Sequence, residues 1–162
     1  MSGITPTFLL ALLAMALRTV LFYAGFTIAP FDFILIHLLF IVLAIYFSGH
    51  FLLGRDPSRG AGELMRAGFQ SAVLYALLLS AFTWIFYKTM DTNAFNIYND
   101  KLVEGFIAQG QPEDLAREKV GAMYNAGTYS MLTFFGLFMA GSFNALLFAL
   151  IHDKLLRRFR KA

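Results

Sequence analysis

The sequence predicts an all-α membrane protein: four transmembrane helices with a short extracytoplasmic two-helix insert between spans 3 and 4. Three observations predict it. Of the 162 residues, 59% are hydrophobic and only 14% charged, whereas soluble domains run near 45–50% apolar and about 25% charged. Four apolar runs approach or exceed the roughly 20 residues that a membrane helix needs. The one long water-compatible stretch between them, residues 88–127, carries Lys88, Asp91, Asp100, Lys101, Glu104, Glu113, Asp114, Arg117, Glu118 and Lys119. The length suits a single membrane domain over 1–162.

Span 1 is expected over about 6–28. Thr5 is placed to cap it and Pro6 to open it. Arg18 interrupts its apolar run, and no Lys or Arg precedes it, so it does not read as a signal peptide. Span 2 is expected over about 31–53, after the tight connection Ala29-Pro30-Phe31-Asp32. It holds His37, Tyr46, Ser48 and His50. A loop rich in glycine and proline punctuation follows from Gly54 to Gly62. Span 3 is expected over about 64–87, with Trp84 and Tyr87 as an interface belt at its far end.

Within 88–127, Phe95, Tyr98, Leu102 and Phe106 recur at spacings of three and four, which predicts a helix with one apolar face. Gln109-Gly110-Gln111-Pro112 should end it. Pro112-Glu113-Asp114 should open a second helix, with acids in the first turn where the helix dipole favours them. Gly127 is the expected hinge before span 4, about 128–151, which is free of charge. A basic tail, 152–162, closes the chain.

With four spans, the 54–66 loop and both termini share one side. That side collects Arg55, Arg59, Arg66, Lys154, Arg157, Arg158, Arg160 and Lys161 against Asp56, Glu63 and Asp153. The positive-inside rule therefore places both termini in the cytoplasm and 88–127 outside.

The run Gly60-Ala61-Gly62-Glu63-Leu64-Met65-Arg66-Ala67-Gly68-Phe69 leads into a span ending Trp84-Ile85-Phe86-Tyr87-Lys88. An acidic amphipathic stretch follows, with Tyr98-Asn99-Asp100-Lys101-Leu102-Val103-Glu104 and Gln109-Gly110-Gln111-Pro112-Glu113-Asp114. Over roughly 54–151 this pattern resembles the small four-span membrane proteins of unknown function that are widespread in Bacteroidota. The resemblance implies a multi-pass protein of the bacterial inner membrane. It implies no activity and carries over no catalytic residue. Arg18 lies outside the pattern.

Three constellations stand out. Gly68, Ala72, Ala76 and Ser80 lie four apart in span 3, as do Gly141, Ala145 and Ala149 in span 4. Small residues at that spacing let helix backbones approach closely, either between these two spans or against a partner. Arg18, His37 and Asn144 are the intramembrane polar groups. A charge near mid-bilayer costs about 2.5–3.5 kcal/mol on insertion scales, so Arg18 should face the bundle. Backbone carbonyls and hydroxyls should anchor it, with a neutral His37 as one candidate acceptor and Tyr75, Ser80, Thr133 and Ser142 as the others near that depth; Asn144 should bond between helices. The face of Phe95, Tyr98, Leu102 and Phe106 either docks a partner or folds back over the bundle.

Several chemistries are excluded or unsupported. There is no cysteine, so disulfides and thiolate sites are ruled out. His37, His50 and His152 share no metal-ligand spacing. No phosphate loop, dinucleotide fingerprint or nucleophile elbow occurs. No cofactor and no nucleic-acid partner is expected, since topology accounts for the basic groups. The expected role is non-enzymatic: a structural or accessory subunit packing with a membrane partner or with itself. The alternative is a small transporter or channel component with a polar path near Arg18 and His37. The tail after Ile151 could also attract anionic lipid, at roughly 1 kcal/mol per basic residue.

Overall fold

The computed structural model describes residues 4–26, 28–30 and 32–152. These residues form six helices: α1 (Thr5–Tyr23), α2 (Ile34–Arg55), α3 (Ala61–Thr89), α4 (Asn96–Ala108), α5 (Glu113–Met123) and α6 (Ala126–Ile151). Of these, α1, α2, α3 and α6 are long and apolar enough to cross a membrane. At about 1.5 Å per residue, the 19 residues of α1 reach about 28 Å, close to a hydrocarbon core of about 30 Å. The 29 residues of α3 reach about 43 Å, so part of α3 must project or tilt.

The end of α1 differs from the sequence expectation and matters for the site. The helix stops at Tyr23, five residues short of Ile28. Gly25 is the cause. It takes φ +80°, a left-handed conformation that glycine adopts at little cost. Its N–H bonds Phe22 O and the N–H of Phe26 bonds Leu21 O, the paired arrangement that closes a helix after a C′ glycine. Gly110 (φ +85°) ends α4 in the same way, with bonds to Ile107 O and, from Gln111, to Phe106 O. Arg18 is therefore about 7.5 Å along the axis from the end of its helix, not at mid-span.

The most extensive packing is between α3 and α6. A Cβ built on Gly68 would lie 2.5 Å from Ala145 Cβ, and one on Gly141 would lie 2.7 Å from Ala72 Cβ and from Ile41 Cδ1. The two small-residue stripes thus meet within one chain. One helix turn further along α3 from Ala76, Ser80 Oγ lies 3.0 Å from Ser130 O and 2.9 Å from Ser130 Oγ, and Ser130 Oγ donates to Ser80 O at 2.9 Å. Between apolar helices in lipid, close van der Waals packing and such bonds supply the attraction. Ala11, Ala14, Ile41, Tyr75, Leu79 and Leu137 fill the core around this seam. Gly49 lets the ring of Phe148 reach α2, since a Cβ there would be 2.2 Å from that ring.

The insert has its own small core of Val103, Ala116 and Val120. Asn99 Nδ2 donates to Tyr124 O at 2.9 Å, and Arg117 bonds Glu113 (2.9 Å) and Asp100 (3.4 Å) across its exposed face. The break before α6 falls at Asn125 rather than Gly127. Asn125 Oδ1 accepts from the N–H groups of Gly127 (2.9 Å) and Thr128 (3.0 Å), and its Nδ2 donates to Gly121 O and Ala122 O. One side chain therefore caps the start of α6 and satisfies carbonyls at the end of α5.

Candidate functional site

Arg18 organises the end of the bundle that carries the insert. It is 2% exposed. Its Nη2 donates to Asp91 Oδ2 at 3.2 Å, to Ile28 O at 3.2 Å and to Tyr87 Oη at 3.3 Å. The guanidinium carbon lies 5.1 Å from the centre of the Phe86 ring, 5.4 Å from Phe33 and 5.6 Å from Tyr87. Each is within the roughly 6 Å over which a cation is attracted to a ring face. Among the described residues, Nε and Nη1 find no hydrogen-bond partner, and the rings are what those groups meet.

A backbone carbonyl and a hydroxyl anchor Arg18 as expected, but the hydroxyl is that of Tyr87 and the charged partner is a residue the sequence did not single out. His37 is buried, but its ring packs edge-on against Phe33 at 4.7 Å, and Phe33 is also one of the rings around Arg18. Arg18 instead reaches Asp91, two residues beyond the end of α3. The early stop of α1 at Gly25 makes that reach short. Asp91 is held in place by its own N–H, which bonds Phe86 O at 3.1 Å. Partial burial pushes the Asp91 carboxyl above the usual aspartate range, and the Arg18 charge pulls it back by less.

Around the ion pair an aromatic cluster closes the bundle. Phe86, Tyr87, Phe95 and Tyr129 are buried together. Tyr87 meets Phe95 at 5.2 Å and Tyr129 at 5.4 Å, both edge-on or nearly so. Tyr129 Oη donates to Pro30 O, tying α6 to the connection between α1 and α2. Edge-to-face pairs of this kind add about 0.5–1.5 kcal/mol each beyond burial. Trp84 is half exposed, whereas Tyr87, expected beside it in an interface belt, is inside this cluster.

Of the four residues of the predicted amphipathic face, Phe95, just before α4, joins the aromatic cluster, and Leu102 and Phe106 pack on the insert core. Tyr98 stacks edge-on with Tyr124 and remains 39% exposed. The face therefore folds onto the chain itself, and the exposed apolar groups of the insert are others: Ile97, Ile107, Leu115 and Met123. Asn144 bonds Ala140 O at 2.8 Å, a carbonyl of its own helix, rather than a neighbouring span. His50 and His152 are linked through rings, His50 to Tyr46, Tyr46 to Phe148 and Phe148 to His152. Among the described residues, no three His, Cys, Asp or Glu side chains gather where a metal ion would fit. The basic tail from 153 onward lies outside the described residues.

Beside the ion pair lies a groove of about 820 Å³. The α1–α2 connection forms one wall, with Phe22, Phe26, Ile28 and Pro30, and the start of α4 the other, with Phe95, Ile97 and Tyr98. Asp32, Asp91 and Lys101 also line it. Sequence reading missed this groove, because it depends on Gly25 turning the chain away from helix and on residues about 60 to 80 positions apart meeting. No protein family, curated protein or solved structure matches the chain.

Proposed function

We propose that the chain is a non-enzymatic accessory subunit of a bacterial inner membrane, docking a membrane partner or a second copy through its two-helix insert. One observation carries the reading. Ile107, Leu115 and Met123 are 41%, 46% and 58% exposed on helices that lie outside the four candidate spans. Exposed apolar side chains on the spans meet lipid, but on the insert they have no such explanation, and apolar surface outside lipid, where it is contiguous, marks interaction sites. The ion pair and the aromatic cluster at the root of the insert support the same role, since they fix the insert's attachment in advance of binding. In the proposed orientation both termini are cytoplasmic and the insert is outside. Arg55, Arg59 and Arg66 at the opposite end of α2 and α3 favour it. The resemblance to four-span Bacteroidota proteins is compatible with this placement.

Two measurements test the proposal. Photo-crosslinking residues placed at 107, 115 and 123 in native membranes should give one adduct of defined mass, absent when the probe is at the lipid-facing Phe135. Equal, diffuse labelling at all four positions would refute docking. For orientation, a membrane-impermeant amine reagent applied to intact cells should modify Lys101 and Lys119. If it modifies Lys154 and spares these two, the insert is cytoplasmic.

A further inference from the structure

We infer that the groove beside Asp91 holds a zwitterionic membrane phospholipid, with its phosphate toward Lys101 and its amine toward Asp32. Size, depth and charge carry the inference. A volume of about 820 Å³ falls in the usual range of ligand pockets, about 300–1,000 Å³. The groove lies where α1 and α3 end and α2 begins, which for apolar spans is the level of the lipid headgroups. Tyr23 and Trp84, both at least half exposed, stand near the same ends of α1 and α3, as aromatic belts do at the membrane interface. The walls are mostly apolar and suit a glycerol backbone and the upper part of an acyl chain.

Charge sets the headgroup. Four charges occur at or beneath the groove: Asp32, Asp91, Lys101 and Arg18. Arg18 and Asp91 neutralise each other at 3.2 Å. One carboxylate, Asp32, and one ammonium, Lys101, are left on the walls, and no hydrogen bond or ion pair among the described residues engages either group. A single acid and a single base are complementary to one phosphate and one amine. An anionic phospholipid would satisfy Lys101 and leave its own head facing Asp32. Lipid, rather than a protein segment, is the occupant favoured by the groove's position at the ends of the spans.

The test uses the full-length protein, purified in detergent and delipidated. Phosphatidylethanolamine and phosphatidylglycerol with identical acyl chains are added separately, and retention is read by native mass spectrometry. Phosphatidylethanolamine should be retained at least about tenfold better. In the double variant Asp32→Asn, Lys101→Gln the preference should fall to unity while the unfolding temperature without lipid stays unchanged, since both side chains are exposed. Equal retention of the two lipids by the native chain would overturn the inference. So would an unaltered preference in the double variant, or equal protection against unfolding by soluble phosphoethanolamine, which has the headgroup but no chains.

Discussion

Arg18 Nη2 stands 3.2 Å from Asp91 Oδ2 although the two residues are 73 positions apart. One belongs to α1 and the other to the segment that leaves α3, so the pair ties the root of the insert to α1. Arg18 is 3% exposed at its side chain and Asp91 is 21% exposed. The arginine therefore needs a partner more than the aspartate does, because a buried charge left alone is strongly unfavourable.

The seam gives the cleanest packing prediction. Gly68→Ala must move Ala145, whose Cβ and backbone Cα would lie 2.5 and 3.2 Å from the new methyl group. Overpacking of this kind costs about 1–3 kcal/mol. Gly136→Ala has nothing within 4 Å of its new Cβ, and replacing an open helical glycine gains up to about 1 kcal/mol. Thermal unfolding in detergent should therefore move in opposite directions for the two variants. A fall of equal size in both would show that the α3–α6 contact is not the close one described.

Asn125→Ala should cost about 1–2 kcal/mol, the upper part of the range for helix caps, because it removes two acceptor bonds at α6 and two donor bonds at α5. Asn125→Asp should restore the α6 bonds only and recover part of the loss. Faster hydrogen exchange in Gly127 and Thr128 would report the cap directly; unchanged exchange there would count against it.

Asp91 predicts a pH effect. Its folded-state carboxyl lies above the ordinary value of about 3.9, so protonation favours the folded state. The stability it contributes is full below that ordinary value and is lost as pH rises through the raised folded value. Arg18 limits that loss. Arg18→Leu should therefore lower the unfolding temperature more at pH 7 than at pH 4, and adding Asp91→Asn should remove the extra loss at pH 7. A deficit independent of pH would show that Arg18 acts through Tyr87 and Ile28 alone.

The spans were legible because hydropathy over 20 residues depends on composition rather than on tertiary contacts. The α4–α5 break at Gly110 and Pro112 was legible for a related reason: glycine and proline act locally. Arg18 and the small-residue stripes also stood out by residue type. The partner of Arg18 did not. Finding Asp91 required knowing that Gly25, rather than Pro30, ends α1, and that α3 runs two residues past Tyr87. The cap at Asn125 was hidden by the more conspicuous Gly127 two residues later. The groove was out of reach for the reason that most sites are, since its walls come from segments distant in sequence.

The most direct test of the account is the double-mutant cycle of Arg18→Leu and Asp91→Asn, read as unfolding free energy in detergent at pH 7. Arg18→Leu alone should cost about 1.5–3 kcal/mol, as for loss of hydrogen bonds to a charged group. In the Asp91→Asn background it should cost at least about 1 kcal/mol less. Additivity within about 0.5 kcal/mol, the behaviour of sites without shared partners, would contradict the ion pair as the link between insert and bundle.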